Sequence, residues 1–383
     1  MVQDADASGR MNFIPLAVPD IDEADVAAVS AVLRSGMLVQ GEHVAGLEAE
    51  VASFLGVRHA VAVSNGTASL HLALVALGVG PGDEVVVPAF SFVATANVVE
   101  LVGARCVFVD VQRNTFNIDP AAFEPAITER TKAVIPVHEF GLACDIARVV
   151  EIARARGIAV VEDAACALGA DEDGRLVGGI GEVGSFSLHP RKAVTSGEGG
   201  IITTNDDDLA AAFRVLRNHG IEMQDGRMEF VAAGFNYRMT DFQAALVRGQ
   251  LARFDDAIAR RRALANVYLE ELAGENWLTL PVTPAGKTHT WQTFHPVLDE
   301  ELDRDRVIAE LRARGVGSNY GAQCIPAQIH YRTAYGHDAA ADFPNAHRAW
   351  RSGIALPLHA KMNEGQARQV VKALKDAVVA ARD

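Results

Sequence analysis

A series of short apolar runs most constrains what this chain can fold into. They are Ala60–Ser64, Val85–Pro88, Cys106–Val111, Ala133–Val137, Ala159–Val161, Ser185–Leu188 and Ile201–Thr204. Each is near-continuous rather than alternating, which is the pattern of strands buried on both faces. Segments of helical period lie before and between them. Pro19–Leu33 places Val26, Val29, Val32 and Leu33 on one face, with Asp20 or Asp22 as N-cap, and His43–Leu55 does the same with Val44, Leu47, Val51 and Phe54. Further helices are expected at Ser69–Leu77, Phe92–Val102 and Asp145–Arg156. Strand and helix in alternation predict an α/β domain around a mostly parallel sheet, to about residue 245. Thr240 then caps a long helical pattern from Phe242 to about Leu272. The remainder has another texture: Pro281–Pro284, a strand-like Thr293–Leu298, a helix Asp303–Arg314, an irregular Gly315–His337 and a final helix Asn363–Ala381. The expected division is a large α/β domain over 13–250 and a small C-terminal α+β domain over 251–383. Residues 1–10 read as a disordered lead.

Composition removes several function classes. The formal charge of −14 over 383 residues opposes electrostatic binding to nucleic acid or to an anionic membrane. An anionic substrate therefore needs a local pocket of donors. Cys106, Cys144, Cys166 and Cys324 are scattered, with no CxxC or CxxH spacing, so neither a zinc site nor a disulfide framework is expected. Met1–Arg10 has no apolar signal core, and no apolar run is long enough to span a bilayer. The expectation is a cytoplasmic enzyme.

In open α/β sheets, ligands sit outside the carboxyl ends of the strands. Several groups of complementary chemistry fall at those ends. Lys192 lies in a glycine-closed turn within Gly184–Gly200 and is a candidate Schiff-base former. Gly66-Thr67-Ala68 opens a helix, where free backbone N–H groups and the dipole favour a phosphate, and Ser187 can add a hydroxyl. Asp163 ends the run Val160–Asp163 and suits a cationic pyridinium nitrogen, and Phe92 can stack on a flat ring. Lysine, carboxylate, aromatic face and phosphate cradle are the parts of a pyridoxal phosphate (PLP) site.

These stretches resemble the sugar aminotransferases of the DegT/DnrJ/StrS group, which have the PLP-dependent transferase fold type I. The resemblance runs from about Phe13 to Ala381. Ser35–Gly41, Val63–Leu70, Pro88–Asn97, Glu162–Ala165, Ser185–Gly200 and Gly234–Ala245 carry it. It implies that Lys192 forms the internal aldimine and moves the proton, that Asp163 pairs with the pyridine nitrogen and that Phe92 covers the ring. Gly66, Thr67, Ala68 and Ser187 would hold the phosphate. Asn236 would reach the phosphate of the neighbouring subunit, which implies a homodimer with shared active sites. The implied reaction passes an amino group, with glutamate the usual donor, to a keto sugar on a nucleotide diphosphate. PLP and its PMP form would alternate in ping-pong fashion.

One position departs from the group's pattern. Three residues after the aspartate, where Gln or His contacts the cofactor's phenolic oxygen, this chain has Cys166, a weaker donor. For substrate, Arg238 is a candidate for a carboxylate or diphosphate, and Tyr320 and His330 are candidates for the sugar. Met37 and Gln40 lie in a loop expected to line the partner's site. Three other readings share this fold. A PLP-dependent sugar dehydratase would carry His where this chain has Lys192, and a desulfurase would need a mobile cysteine, for which Cys324 is the candidate. A sensory or regulatory relative would keep the fold without turnover.

Overall fold

The computed structural model describes residues 13–382, so the lead at residues 1–10 lies outside the described part. The chain builds one seven-stranded sheet. Its strands are β1 (His59–Val63), β2 (Glu84–Pro88), β3 (Arg105–Val109), β4 (Thr131–Val134), β5 (Ala159–Asp163), β6 (Val183–Ser187) and β7 (Gly200–Thr204). Their spatial order is β1-β7-β6-β5-β4-β2-β3. All neighbouring pairs are parallel except the two that flank β7. The predicted runs therefore become these strands to within a few residues, and Val85, Val86, Val87, Val161 and Ile202 are fully buried, as the lack of alternation requires.

Helices cover both faces. Glu23–Ser35 starts at Asp22, the second of the two expected caps, in a reciprocal capping box with Asp25. Glu42–Leu55 has Gly41 at its cap and no local side-chain acceptor. Asp241 supplies one from far along the chain: its carboxylate accepts the N–H groups of Gly41, His43 and Val44 at 2.9, 3.2 and 2.9 Å. A capping contact of this kind stabilises a helix by about 1 kcal/mol.

The apolar core has four clusters among the described residues, of which two draw on the end of the chain. One part, with Val61, Leu72, Val87, Ile135 and Val161, lies on the sheet, and Cys324, Ile325, Tyr331 and Phe343 from late in the chain join it. The other gathers Leu264, Tyr268, Phe294, Leu311, Val370 and Leu374, with Ile14 from the beginning of the described chain.

Three expectations need correction. The helix over Phe242–Leu272 is two helices, Asp241–Leu251 and Phe254–Glu271. Arg253 leaves helical geometry between them, and its guanidinium reaches Asp25 at 2.7 Å. Gly315–His337 is not all irregular. Ile329–Tyr335 is a short helix ended by Gly336 at φ +72° and anchored by Tyr331 and Tyr335 against Phe108. Thr293–Leu298 pairs as a strand only at Val297–Leu298, with Leu278–Thr279. A hairpin, Ile221–Gln224 with Arg227–Phe230, and a helix Pro344–Ser352 lie outside the sequence-based expectations. No helix among the described residues is long and apolar enough to cross a membrane.

Three histidines are buried neutral. Burial pushes His289 and His295 down to about 3 and His359 to about 4. The unfolded chain therefore binds more protons than the native one between those values and about 6.5, so acid favours unfolding in that window. Lowering the pH from 6.5 to 5 should cost about 2 kcal/mol of unfolding free energy for each of His289 and His295. Urea titrations across this range are expected to show the loss, and His295→Leu should remove its share.

Candidate active site

The site forms at the carboxyl end of β5. Glu162 and Asp163 are its last two residues, and strand geometry sends them to opposite faces. Glu162 turns into the scaffold. It accepts N–H groups from Gly178, Ile180 and Gly181, each at 2.7 Å, and meets His138 Nε2 at 3.1 Å. Burial works against its charge, but the His138 contact and the Gly178 and Gly181 N–H groups outweigh burial and hold its pKa below the usual range.

Asp163 turns into the site. It is buried, accepts the Thr95 hydroxyl at 2.8 Å and the Ala165 N–H at 3.2 Å, and lies within the field of Lys192. Here burial prevails and raises the carboxyl pKa, with Thr95, Ala165 and Lys192 pulling the other way. Ser91 completes a chain of hydroxyls behind it, 3.1 Å from Thr95 Oγ1.

Lys192 sits on the loop between β6 and β7. Its Nζ donates to Cys166 Sγ at 3.0 Å. Burial raises the Cys166 thiol, against the nearby ammonium, so the sulfur stands as a neutral thiol. The loop itself is held by glutamines from other elements. Gln250 bonds the Thr195 N–H and C=O at 3.0 and 2.8 Å, Gln243 donates to Glu198 O at 2.7 Å, and Gln292 donates to Arg191 O at 2.9 Å. No sequence signal singles out these three, because a glutamine carries no chemistry that marks it as a clamp.

The turn at Gly66 lies beside Ser187. A Cβ at Gly66 would come within 2.9 Å of the Ser187 Cβ, so only glycine permits this approach. The helix Gly66–Ala76 begins here, and Asn65 Oδ1 already takes the Ala68 N–H at 2.8 Å. The N–H groups of Gly66 and Thr67 face the first turn without an intrahelical acceptor. Phe92 stands at the start of the helix Ala94–Leu101, three residues before Thr95, and is 64% exposed. Free first-turn N–H groups, a glycine-only approach to a serine, an exposed aromatic face, a buried carboxylate and a lysine fit a phosphorylated aromatic cofactor.

Arg238 bridges Val63 at the end of β1, and its guanidinium donates to Asn218 Oδ1 at 2.7 Å, so its local partner is an amide rather than a carboxylate. Asn236 is exposed on the adjoining strand-like segment. Tyr320 is partly exposed beneath the Arg304 guanidinium, 5.6 Å from ring centroid to carbon. His330 lies on a helix rather than an irregular loop, and its Nε2 meets Glu100 at 2.6 Å instead of any member of the lysine cluster. Sequence reasoning missed Thr95, which a hydroxyl three residues after Phe92 on the same turn signals, and Glu139, which lies on a turn against Asp163 and Cys166. No metal-ligating cluster occurs among the described residues.

Comparison with known proteins gives a consistent picture. Residues 19–375 match the DegT/DnrJ/EryC1/StrS aminotransferase family. The chain is 42% identical over 342 residues to the GDP-perosamine synthase of Caulobacter vibrioides, covering 88% of this chain and 91% of that one. It is 37% identical to the spore coat polysaccharide biosynthesis protein SpsC of Bacillus subtilis, over 96% of this chain and 98% of that one. Among solved structures, Spr1654 of Streptococcus pneumoniae, described as a sugar aminotransferase and solved in PMP form, superposes with a TM-score of 0.92 at 30% identity. That match covers 97% of this chain and 98% of the other.

The glutamine clamp has a measurable consequence. Gln250 and Thr195 are both buried, so Gln250→Leu leaves the Thr195 N–H and C=O unpaired. Unfolding free energy should fall by about 2 kcal/mol. Hydrogen exchange should rise in 190–199 above the rest of the chain.

Proposed function

From the premise that the chain belongs to the DegT/DnrJ/EryC1/StrS aminotransferase family, and is a PLP-dependent sugar aminotransferase, we propose that it aminates a keto group of a nucleotide-linked deoxysugar with L-glutamate as donor. The observation that carries this reading is the convergence of Lys192, Asp163 and the Gly66–Ser187 turn at one end of the sheet. When bound, PLP supplies an electron sink that makes the proton beside the amino-bearing carbon removable.

This chain's residues supply the rest. Gly66, Thr67 and Ser187 bind the phosphate, with Ala68 closing the turn. Asp163, kept buried and bonded to Thr95, holds a proton on the pyridine nitrogen. Phe92 covers one ring face and excludes water from it. Lys192 Nζ would anchor the cofactor and, once displaced, would carry the proton between the substrate carbon and the cofactor. Cys166 packs beside Lys192 as a neutral group. Glutamate would leave its amino group on the cofactor and depart as 2-oxoglutarate before the keto sugar enters to accept that group, which would make the kinetics ping-pong. Arg238 suits the carboxylate of the donor or the diphosphate of the acceptor, and Tyr320 and His330 would meet the sugar from the rim.

We assign the working unit as a homodimer, in which Asn236 completes the partner's phosphate site and Met37 and Gln40 border it. The surface supports this. Met37 is 74% and Phe230 69% exposed, and Leu38, Val39, Met223, Met228 and Val231 are exposed apolar side chains as well. Sets of this kind on a protein surface mark contact with another chain.

A visible spectrum with and without glutamate tests the half-reaction. The wild type should show the yellow band of bound cofactor, and glutamate should bleach it. Lys192→Ala should lack the band, with turnover down by about 10²–10⁴-fold. A band that glutamate leaves unchanged would replace the donor assignment. Thr95→Val, which keeps shape and deletes the hydroxyl bonded to Asp163, should weaken PLP binding about tenfold in equilibrium dialysis.

A further inference from the structure

Glu139 is a buried acid that the reaction as described does not use. It is 4% exposed, on the turn that follows β4. That turn is fixed against the site. Val137 bridges Asp163, and His138 N–H donates to the Asp163 carbonyl at 3.0 Å. Glu139 N–H donates to Asn117 Oδ1 at 2.8 Å. The chain then turns sharply through Phe140 at φ +55° and Gly141 at φ +96°. A Cβ on Gly141 would lie 3.1 Å from the Cys166 carbonyl, so the turn and the Cys166 segment are in contact.

The charges around Glu139 can be named from every side. Asp163 and Cys166 face it from the end of β5, and Lys192 faces it from the lysine loop. His289 and His295 line a cavity of about 10 Å³ together with Glu139, Thr293, Phe116 and Phe140. Burial holds both histidines neutral. The carboxyl group of Glu139 leans on the Phe140 N–H and makes no side-chain hydrogen bond or ion pair among the described residues. Two carboxyl groups thus share one ammonium. Such a set keeps a proton, because both acids cannot ionise at the expense of a single cation. Asp163 has the hydroxyl of Thr95 and the N–H of Ala165 to support a charge. Glu139 lacks comparable donors, and burial, with Asp163 adding to it, pushes its carboxyl up to about 8.

We propose that Glu139 is a proton-holding positioning residue of the amine-transfer site, leaving Asp163 as its one carboxylate and setting how tightly the group carried on Lys192 holds its proton. The proposal rests on the reading of Lys192 and Asp163 given above. Neutral Glu139 leaves Asp163 free to face the cofactor's pyridine nitrogen without a competing charge. Ionised Glu139 would stabilise positive charge at Lys192 and shift the site toward its protonated form.

The test is a pH titration, from 6 to 10, of the visible band of the PLP-loaded protein. Wild type is compared with Glu139→Gln, which has the same shape and is always neutral, and with Glu139→Leu, which is apolar and of similar size. Wild type gains a negative charge beside Lys192 as the pH passes about 8, which favours the protonated chromophore. Its midpoint should therefore lie about one pH unit above that of both variants, a tenfold difference in proton affinity. A residue that only packs would give the same midpoint in all three proteins, and that result overturns the proposal. Glu139→Leu guards against a Gln that finds new hydrogen bonds, since the missing charge alone should lower the midpoint. A wild-type protein without the visible band would instead overturn the reading of Lys192.

Discussion

The site depends on the end of one strand. Because side chains alternate along β5, Glu162 and Asp163 leave it in opposite directions. A buried carboxylate is stable only when donors surround it. Glu162 meets that condition with backbone N–H groups of the Gly178–Gly181 turn, and so ties β5 to the segment that enters β6. With that side fixed, Asp163 has one place to be. Its carboxyl then sits under Thr95, on the helix that presents Phe92, and in reach of Lys192 beyond β6. The structural acid and the functional acid are neighbours in sequence because the pleat separates them in space.

The lysine loop shows the complementary constraint. Residues 189–199 have little regular structure of their own, and a loop with a free lysine would sample many positions. Gln250 and Gln243 bond its backbone from the one helix Asp241–Leu251, and Gln292 does so from the connection near Trp291. Asp241, one helical turn before Ala245, at the same time caps the helix Glu42–Leu55. The helix Asp241–Leu251 therefore acts as a brace between the outer helices and the lysine. Positioning of a few tenths of an ångström matters for proton transfer, and here it comes from neutral amides that leave the local charge unaltered.

The legible and illegible parts of this chain divide along the same physical line. Strands buried on both faces announce themselves, so Val85–Pro88 and Ile201–Thr204 are legible as sheet from their own residues. Helix ends with local caps are legible too, as at Asp22 and Thr240. The Glu42–Leu55 cap is not, because its acceptor lies about two hundred residues away. The break at Arg253 is hidden for a similar reason: its guanidinium is held by Asp22 and Asp25, more than two hundred residues earlier in the chain. Lys192, Asp163 and the Gly66 turn stand out because their chemistry is rare at strand ends. Glu139 does not, since one acid in the run Val137–Leu142 looks like any other until Asp163 and Cys166 close over it.

Cys166 and Glu139 become intelligible together. A Gln or His three residues after Asp163 would bring a strong hydrogen-bond donor beside Lys192. The thiol of Cys166 is a weak donor, and burial keeps it neutral. A charged residue in the turn at 139 would then compete with Asp163 for the one Lys192 ammonium. A carboxylic acid that retains its proton is a different object, since it carries no charge while it holds the proton and can donate a strong hydrogen bond. The weak donor at 166 and the buried acid at 139 fit together while Glu139 holds its proton, and its burial among Phe140, His289 and His295 favours that state below about pH 8.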